Sequence, residues 1–174
     1  MPAAAASVAY PINISHVTIR KARAEDCEAM LRMIHALADY QGVDNRVSAK
    51  LEDMRRAGFG PSPQFEALIA ERGGVPVGLA MFQPNYAIWE GTTSLQITDL
   101  FVDEAVRGTG VGFHLVQEVA RIAKDRGCTG LQLNMVHANP SRSSLDRIGF
   151  VHQDDLLHYR LDASSLKKLV EMDR

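Results

Sequence analysis

The segment 107–112 has the sequence Arg-Gly-Thr-Gly-Val-Gly, a composition and spacing suited to binding an anion. Its glycines stand at alternate positions, so the backbone can turn sharply and successive N–H groups can point at one ligand. A helical pattern of apolar residues follows, from Leu115 to Ile122, and its N-terminus would add the positive end of a helix dipole. Together with the charge of Arg107, these features predict a loop that binds a diphosphate.

The residues around this loop exclude two other phosphate-binding motifs. No Gly-Lys-Ser/Thr follows it, as a Walker A motif requires, and Phe113 occupies the place of the third glycine of a dinucleotide-binding motif. The remaining alternative is a glycine-rich connector that binds no ligand.

The loop must be positioned by a strand before it and a helix after it. The apolar run that ends at Val102 predicts the strand, and Gly127 ends the helix. The next strand, 130–135, should lie parallel to strand 94–102, because a right-handed crossover connects them. The other predicted elements are strand 17–20, helix 24–40, helix 48–57 capped by Ser48, a hairpin of 65–71 and 75–82, a connector 83–93, a short helix from Asn139 to Gly149, strands 150–151 and 156–161, and a helix capped by Asp162.

Composition limits the classes of protein that remain. Hydrophobic residues make up 46% of the 174 residues and the net charge is −2, which argues against a dedicated nucleic-acid-binding protein, because phosphate contacts need surplus Lys and Arg. Cys27 and Cys128 lack C-x-x-C spacing and the six histidines show no ligand pattern. We therefore expect reduced thiols and no metal site.

The organisation of the chain follows from its two ends and its length. Residues 1–15 have neither a positive n-region nor a long apolar core, so we interpret them as a flexible arm and not as a signal peptide. Residues 16–174 suit a single domain. No run of about eighteen apolar residues occurs, so no membrane span is predicted and the default localisation is cytoplasmic.

The glycine loop resembles the acyl-CoA signature of the GNAT N-acetyltransferase superfamily, R/Q-x-x-G-x-G/A, with Arg107, Gly110 and Gly112 in register. The predicted order of strands and helices is also the order of the GNAT fold. The resemblance implies an α+β acyl-CoA N-acyltransferase fold, with a mixed, mostly antiparallel sheet, a splayed central parallel strand pair and flanking helices. It also implies acetyl-CoA as the cofactor.

Within that superfamily the chain resembles the diamine and thialysine N-acetyltransferases. The residues that carry this likeness lie in order along the chain: 17–27, 37–40, 57–60, 77–81 and 98–102. The resemblance implies an enzyme that acetylates the primary amine of a small molecule, diamine-like or amino-acid-like, and that forms a homodimer. The alternatives are a regulatory domain that binds acetyl-CoA with weak or no turnover, and a protein N-acetyltransferase.

The chemical requirements of acetyl transfer to an amine select the candidate site residues. Asp99 is the candidate to bind or deprotonate a cationic amine. Its alternative role is that of a strand-end carboxylate paired with a neighbouring Lys or Arg. Three residues of the connector could line the acceptor pocket, namely Tyr86, Trp89 and Glu90. The candidates for binding the cofactor are Leu100, Phe101, Val102, Arg107, Gly108, Thr109, Gly110, Val111, Gly112, Phe113 and Arg142.

The sequence departs from the superfamily at the usual general acid. The second signature, N-x-x-A/S-x-x-x-Y-x-x-x-G-F, has Ala138 in place of the asparagine and Leu145 in place of the tyrosine that protonates the leaving thiolate. A thiol can also leave as its thiolate, so the reaction should be slowed and not abolished. Ser144, Ser143 and His137 are the candidates to replace the tyrosine.

Overall fold

The computed structural model describes residues 16–43, 46–136, 139–155 and 157–172, so the predicted arm 1–15 lies outside the described residues. The chain divides into two compact units, residues 1–140 and 141–174. The strands are β1 Val17–Lys21, β2 Glu66–Arg72, β3 Val75–Ala87, β4 Thr92–Val102 and β5 Leu131–Leu133. The helices are α1 Cys27–Tyr40, α2 Leu51–Phe59, α3 Val111–Asp125, α4 Arg142–Ile148 and α5 Ala163–Glu171.

The described strands form one sheet in the order in which they occur in the chain. The pairs β1–β2, β2–β3 and β3–β4 are antiparallel, and β4–β5 is parallel, as the crossover through α3 requires. Gly73 and Gly74 form the β2–β3 turn with φ of 59° and 78°, values that favour glycine. The predicted mixed, mostly antiparallel sheet flanked by helices, with a parallel pair, is confirmed.

The first unit has a helix layer on each face of the sheet. On one face, α1 and α2 bury Met30, Met33 and Met54 in a cluster with Leu79 and Phe101 of the sheet. We call this side the α1/α2 face. Its burial removes apolar side chains from water, which is the main favourable contribution to folding.

The helix α3 packs on the opposite face of the sheet. A Cβ built on Gly78 would lie 3.1 Å from Leu115 Cδ1 and 3.3 Å from the carbonyl oxygen of Phe101. The absence of a side chain at Gly78 therefore lets α3 approach β3 closely. Leu115, Val116 and Val119 of α3 are buried.

Several predicted boundaries in the first unit were wrong, and the strand predicted at 130–135 is shorter, Leu131–Leu133. The helix α2 begins at Leu51 and not at Ser48, because the Asp53 carboxylate accepts a hydrogen bond from the Lys50 backbone N–H at 3.3 Å and fixes the N-terminus there. The predicted connector 83–93 is mostly strand, since β3 and β4 pair as far as Ala87 and Thr92. Gly91, at φ 63°, belongs to the turn that joins them.

The second unit holds two short helices. Gly149, at φ 104°, ends α4, and the Asp162 carboxylate caps α5 by accepting from the Ser165 N–H at 2.8 Å, both as predicted. The cap of α4 is Ser141 and not Asn139, since residues 140–141 form a turn before the helix. The predicted strands 150–151 and 156–161 were also wrong, because none of their described residues pairs in a ladder.

Within the residues that the structure describes, no helix combines the length and the apolar character needed to cross a membrane.

Candidate active site

The glycine loop connects β4 to α3 through two residues with left-handed backbone conformations. Gly108 has φ 76° and Gly110 has φ 95°, and Gly110 is the N-cap of α3. The N–H groups of Val111 and Gly112, in the first turn, have no carbonyl one turn earlier in the helix to bond to. The loop therefore presents main-chain donors at the positive end of a 15-residue helix, an arrangement suited to a phosphate group.

Arg107, at the start of the loop, is held by two contacts. Its Nε donates a hydrogen bond to the carbonyl oxygen of Val102 at 2.9 Å, at the end of β4. The guanidinium carbon lies 4.3 Å from the ring centroid of Tyr40, a cation–π distance. The predicted positive charge thus stands where β4 enters the glycine loop.

The side of β4 that faces β5 is paired over a short length. The parallel ladder joins Leu95, Gln96 and Ile97 to β5, whereas β4 continues to Val102. Within the described residues, the backbone from Thr98 to Val102 has no strand partner on that side, and we call it the open edge of β4. Leu100, Phe101 and Val102 are the predicted cofactor-binding residues of the strand, and they all lie on it. Since the side chain of Phe101 is buried, that residue can offer only its backbone.

A β-bulge sets the direction of Asp99. Met81 of β3 pairs with Asp99, but the next residue, Phe82, pairs with Ile97, so Thr98 is the extra residue of β4. The Thr98 hydroxyl donates to the carbonyl oxygen of Met81 at 3.4 Å. Cross-strand partners share a face, so Asp99 lies with Met81 on the α1/α2 face. Phe101 lies on the same face, two residues along.

The carboxyl group of Asp99 is partly buried, and no cationic side chain of the described residues pairs with it. Burial raises its pKa above the ordinary range, and a hydrogen bond from Thr98 partly offsets that rise. No Lys or Arg in the described part of the chain forms an ion pair with it. The alternative role considered above, a carboxylate paired with a neighbouring base, is therefore not what the described residues show. A group with these properties can accept a proton or bind a cation.

The candidates from the predicted connector lie far from Asp99 in the same chain. Trp89 and Glu90 are in the β3–β4 turn, where Trp89 is 94% exposed, and Tyr86 is exposed near the end of β3. The strand from Thr92 to Asp99 spans about 23 Å at about 3.3 Å per residue. The first unit therefore brings Asp99, the open edge of β4 and the glycine loop together, and leaves the β3–β4 turn apart.

The candidates of the second unit lie on α4. Arg142 is the first residue of this helix, and the Ser144 hydroxyl accepts a hydrogen bond from Arg147 Nη2 at 3.1 Å. Leu145 is partly buried on the same helix. His137 and Ala138 lie outside the described residues. The roles predicted for Arg142 and Ser144 stay predictions.

Sequence reasoning missed two features of the site. The contact between Tyr40 and Arg107 had no local signal, because the two residues are far apart in the chain. The bulge at Thr98 was also missed, although Thr98 and Asp99 are two consecutive polar residues that interrupt the alternation set by Leu95 and Ile97.

Comparisons with known proteins agree with this geometry. The family model described as Acetyltransferase (GNAT) family matches residues 32–150. The chain is 33% identical to thialysine N-epsilon-acetyltransferase of Sus scrofa over 134 residues, which cover 72% of this chain and 78% of the relative. It is 29% identical to the enzyme of that name from Mus musculus over 165 residues, covering 87% of this chain and 95% of the relative.

A solved structure supports the fold. An aminoglycoside N-acetyltransferase in complex with CoA superposes with a TM-score of 0.67 at 20% identity, covering 84% of this chain and 95% of that chain. At this identity the likeness concerns the fold alone. The family match extends over α3, the glycine loop and the whole of β2 to β5. On this evidence the chain belongs to the GNAT family of acetyltransferases.

Proposed function

We propose that this protein is an N-acetyltransferase that transfers the acetyl group of acetyl-CoA to a primary amine of a small molecule, diamine-like or amino-acid-like. The names of its relatives, thialysine N-epsilon-acetyltransferases, support this class of acceptor. The observation that carries the proposal is the partly buried carboxylate of Asp99, which has no ion-pair partner among the described residues and lies beside the open edge of β4. It offers a proton acceptor next to the backbone that would hold a thioester.

Binding of acetyl-CoA falls to the first unit. The main-chain donors of the glycine loop, with Arg107, would hold the diphosphate, and Phe113 would flank it from the first turn of α3. The open edge of β4 would pair with the extended pantetheine arm and donate N–H groups to the thioester carbonyl. Acetyl-CoA itself supplies an activated acyl group. We propose Arg142 of α4 as a further phosphate contact.

Asp99 would act on the acceptor. Amines of this class are ammonium ions at neutral pH, and the nitrogen needs a free electron pair to attack the carbonyl carbon. The carboxylate binds the cation and then takes its proton. Because burial raises the pKa of Asp99, its basicity is closer to that of the amine than an exposed aspartate's would be.

The thiolate leaves as the carbon–sulfur bond breaks, and Ser144 is our candidate to pass it a proton, which the hydroxyl regains from solvent water. Its hydroxyl oxygen accepts from Arg147, so its own proton remains available for donation. Leu145 has no proton to give.

The assay of free thiol release from acetyl-CoA, with a panel of diamines, lysine analogues and amino acids, tests the proposed function. We expect acceleration by at least one small amine. Tight binding of CoA with no acceleration by any amine would support the regulatory domain instead. Acetylation confined to peptide N-termini or lysines would support a protein N-acetyltransferase.

We also propose a cytoplasmic homodimer in which the β3–β4 turn contributes to the partner's acceptor pocket. Tyr86, Trp89 and Glu90 are too far from Asp99 of their own chain to share its pocket, and an exposed tryptophan is typical of an interface. Mixing Asp99→Asn with Trp89→Ser chains should then restore activity that each variant lacks. A monomer by light scattering, or no restoration, would contradict the shared pocket.

A further inference from the structure

The ring of Tyr40 covers the guanidinium of Arg107 at 4.3 Å. Tyr40 is the last residue of α1, whose buried side chains belong to the α1/α2 face. Arg107 begins the glycine loop, which follows the end of β4. The contact therefore joins the helix beside Asp99 to the loop that would bind the cofactor.

The two contacts of Arg107 leave most of its donors available. A guanidinium has five N–H groups, and the one on Nε is used by the carbonyl oxygen of Val102. Within the described residues, the groups on Nη1 and Nη2 have no hydrogen-bond acceptor. The side chain is thus fixed at one edge and over one face, while four donors remain for a ligand.

The kind of group that holds Arg107 is also significant. An Asp or Glu in the place of Tyr40 would hold the guanidinium but neutralise its charge and occupy its donors. An aromatic ring attracts the cation through its quadrupole and leaves the net charge in place. A ring is therefore suited to position an arginine that must later meet an anion.

We propose that Tyr40 is a positioning residue for the acetyl-CoA site, which orders Arg107 before the diphosphate arrives. The inference rests on the proposed function. An arginine that becomes ordered only on binding costs affinity, because a long side chain then loses its rotamer freedom. With Tyr40 in place, that cost falls on folding and not on cofactor binding.

The test compares three variants of one position by calorimetry with CoA. Tyr40→Leu removes the ring, and we expect its dissociation constant for CoA to rise about two- to tenfold. Tyr40→Phe and Tyr40→Trp keep a ring face and should bind CoA nearly as the wild type does. In steady-state assays Tyr40→Leu should raise KM for acetyl-CoA, with kcat at saturation and KM for the amine unchanged.

A double-mutant cycle with Arg107→Met separates this role from simple packing. In the Arg107→Met background, Tyr40→Leu should cause no further loss of CoA affinity. Three results would overturn the inference. Tyr40→Leu could lower CoA affinity in the Arg107→Met background as much as in the wild type, or it could bind CoA with wild-type affinity. Tyr40→Phe and Tyr40→Leu could also lose CoA affinity equally. Failure of the wild-type chain to bind CoA would overturn the proposed function as well, so the two failures are distinguishable.

Discussion

The glycine loop and the α1/α2 face at Asp99 adjoin the same strand, but they depend on the sequence in different ways. In the proposed function the loop would act through its main chain: two glycines take left-handed conformations, and the donors would be backbone N–H groups. The α1/α2 face depends on a single side chain, whose direction is set by the bulge at Thr98. The spacing of glycines therefore predicts the main-chain candidate directly, whereas the sequence could name Asp99 but only the register of the sheet shows which face it lies on.

The first prediction tests the side-chain half of this comparison. Asp99→Asn keeps the shape of the residue but removes its basicity, so turnover of a cationic amine should fall about 100-fold or more. The affinity for CoA, measured by calorimetry, should stay at the wild-type value, because the loop does not depend on that carboxylate. The matched control is Asp125→Asn, an exposed aspartate at the far end of α3. Unchanged turnover in Asp99→Asn would remove this residue from the mechanism.

The second prediction tests the main-chain half. Gly110→Ala places a Cβ at φ 95°, where an L-residue costs about 1–2 kcal/mol, so CoA affinity should fall about tenfold as the loop relaxes. Gly112→Ala is the matched control, since Gly112 is helical and a Cβ there would lie 3.4 Å from Val102 Cγ2, an ordinary contact. It should bind CoA nearly as well as the wild type. Equal losses in the two variants would show that backbone conformation is not what the loop requires.

The third prediction concerns the pH dependence of the reaction. Since burial raises the pKa of Asp99, the acid limb of kcat/KM should lie above the usual range of an aspartate, about pH 3.9. Below that limb the carboxylate is protonated and cannot accept the proton of the amine. Asp99→Asn, assayed with the same amine, should lose the limb but keep the titration of the amine. An identical acid limb in both proteins would assign it to another group.

The fourth and smallest effect is on stability. The pKa of Asp99 is higher in the folded than in the unfolded chain, so its contribution to stability is fullest below the unfolded pKa and is lost as pH rises through the folded pKa. At neutral pH the ionised carboxylate destabilises the fold. Asp99→Asn should therefore melt at a higher temperature than the wild type at pH 7. In calorimetric scans, the difference in melting temperature between the two proteins should become smaller as the pH is lowered. A lower melting temperature at pH 7 would contradict this.

The elements that could be predicted from sequence are those fixed by local chemistry. Gly73 and Gly74 form the predicted turn, Gly149 ends α4 and Asp162 caps α5, because each acts on neighbouring backbone. The glycine loop belongs to this class. Its resemblance to an acyl-CoA signature predicted the family, which the family match confirms.

The elements that could not be predicted depend on distant partners. The pairing of β3 with β4 extends through residues that resemble a connector, because each strand stabilises the other. Residues 156–161 were predicted to form a strand, but a strand also needs a partner, and none of the described residues of this segment pairs in a ladder. Likewise, nothing near Arg107 in the sequence points to Tyr40, and the consecutive polar residues Thr98 and Asp99 do not by themselves show which of them is the extra residue.

The extra residue in β4 makes the number of residues as important as their identity. Ile97 faces α3 and Asp99 faces the opposite layer, although two positions on a regular strand would share a side. Deleting Thr98 would restore the regular alternation of β4. Either Asp99 would then leave the α1/α2 face, or Leu95 and Ile97 would leave the face that α3 covers. Loss of one residue from this strand should therefore move every side chain on one side of the deletion to the other face of the sheet.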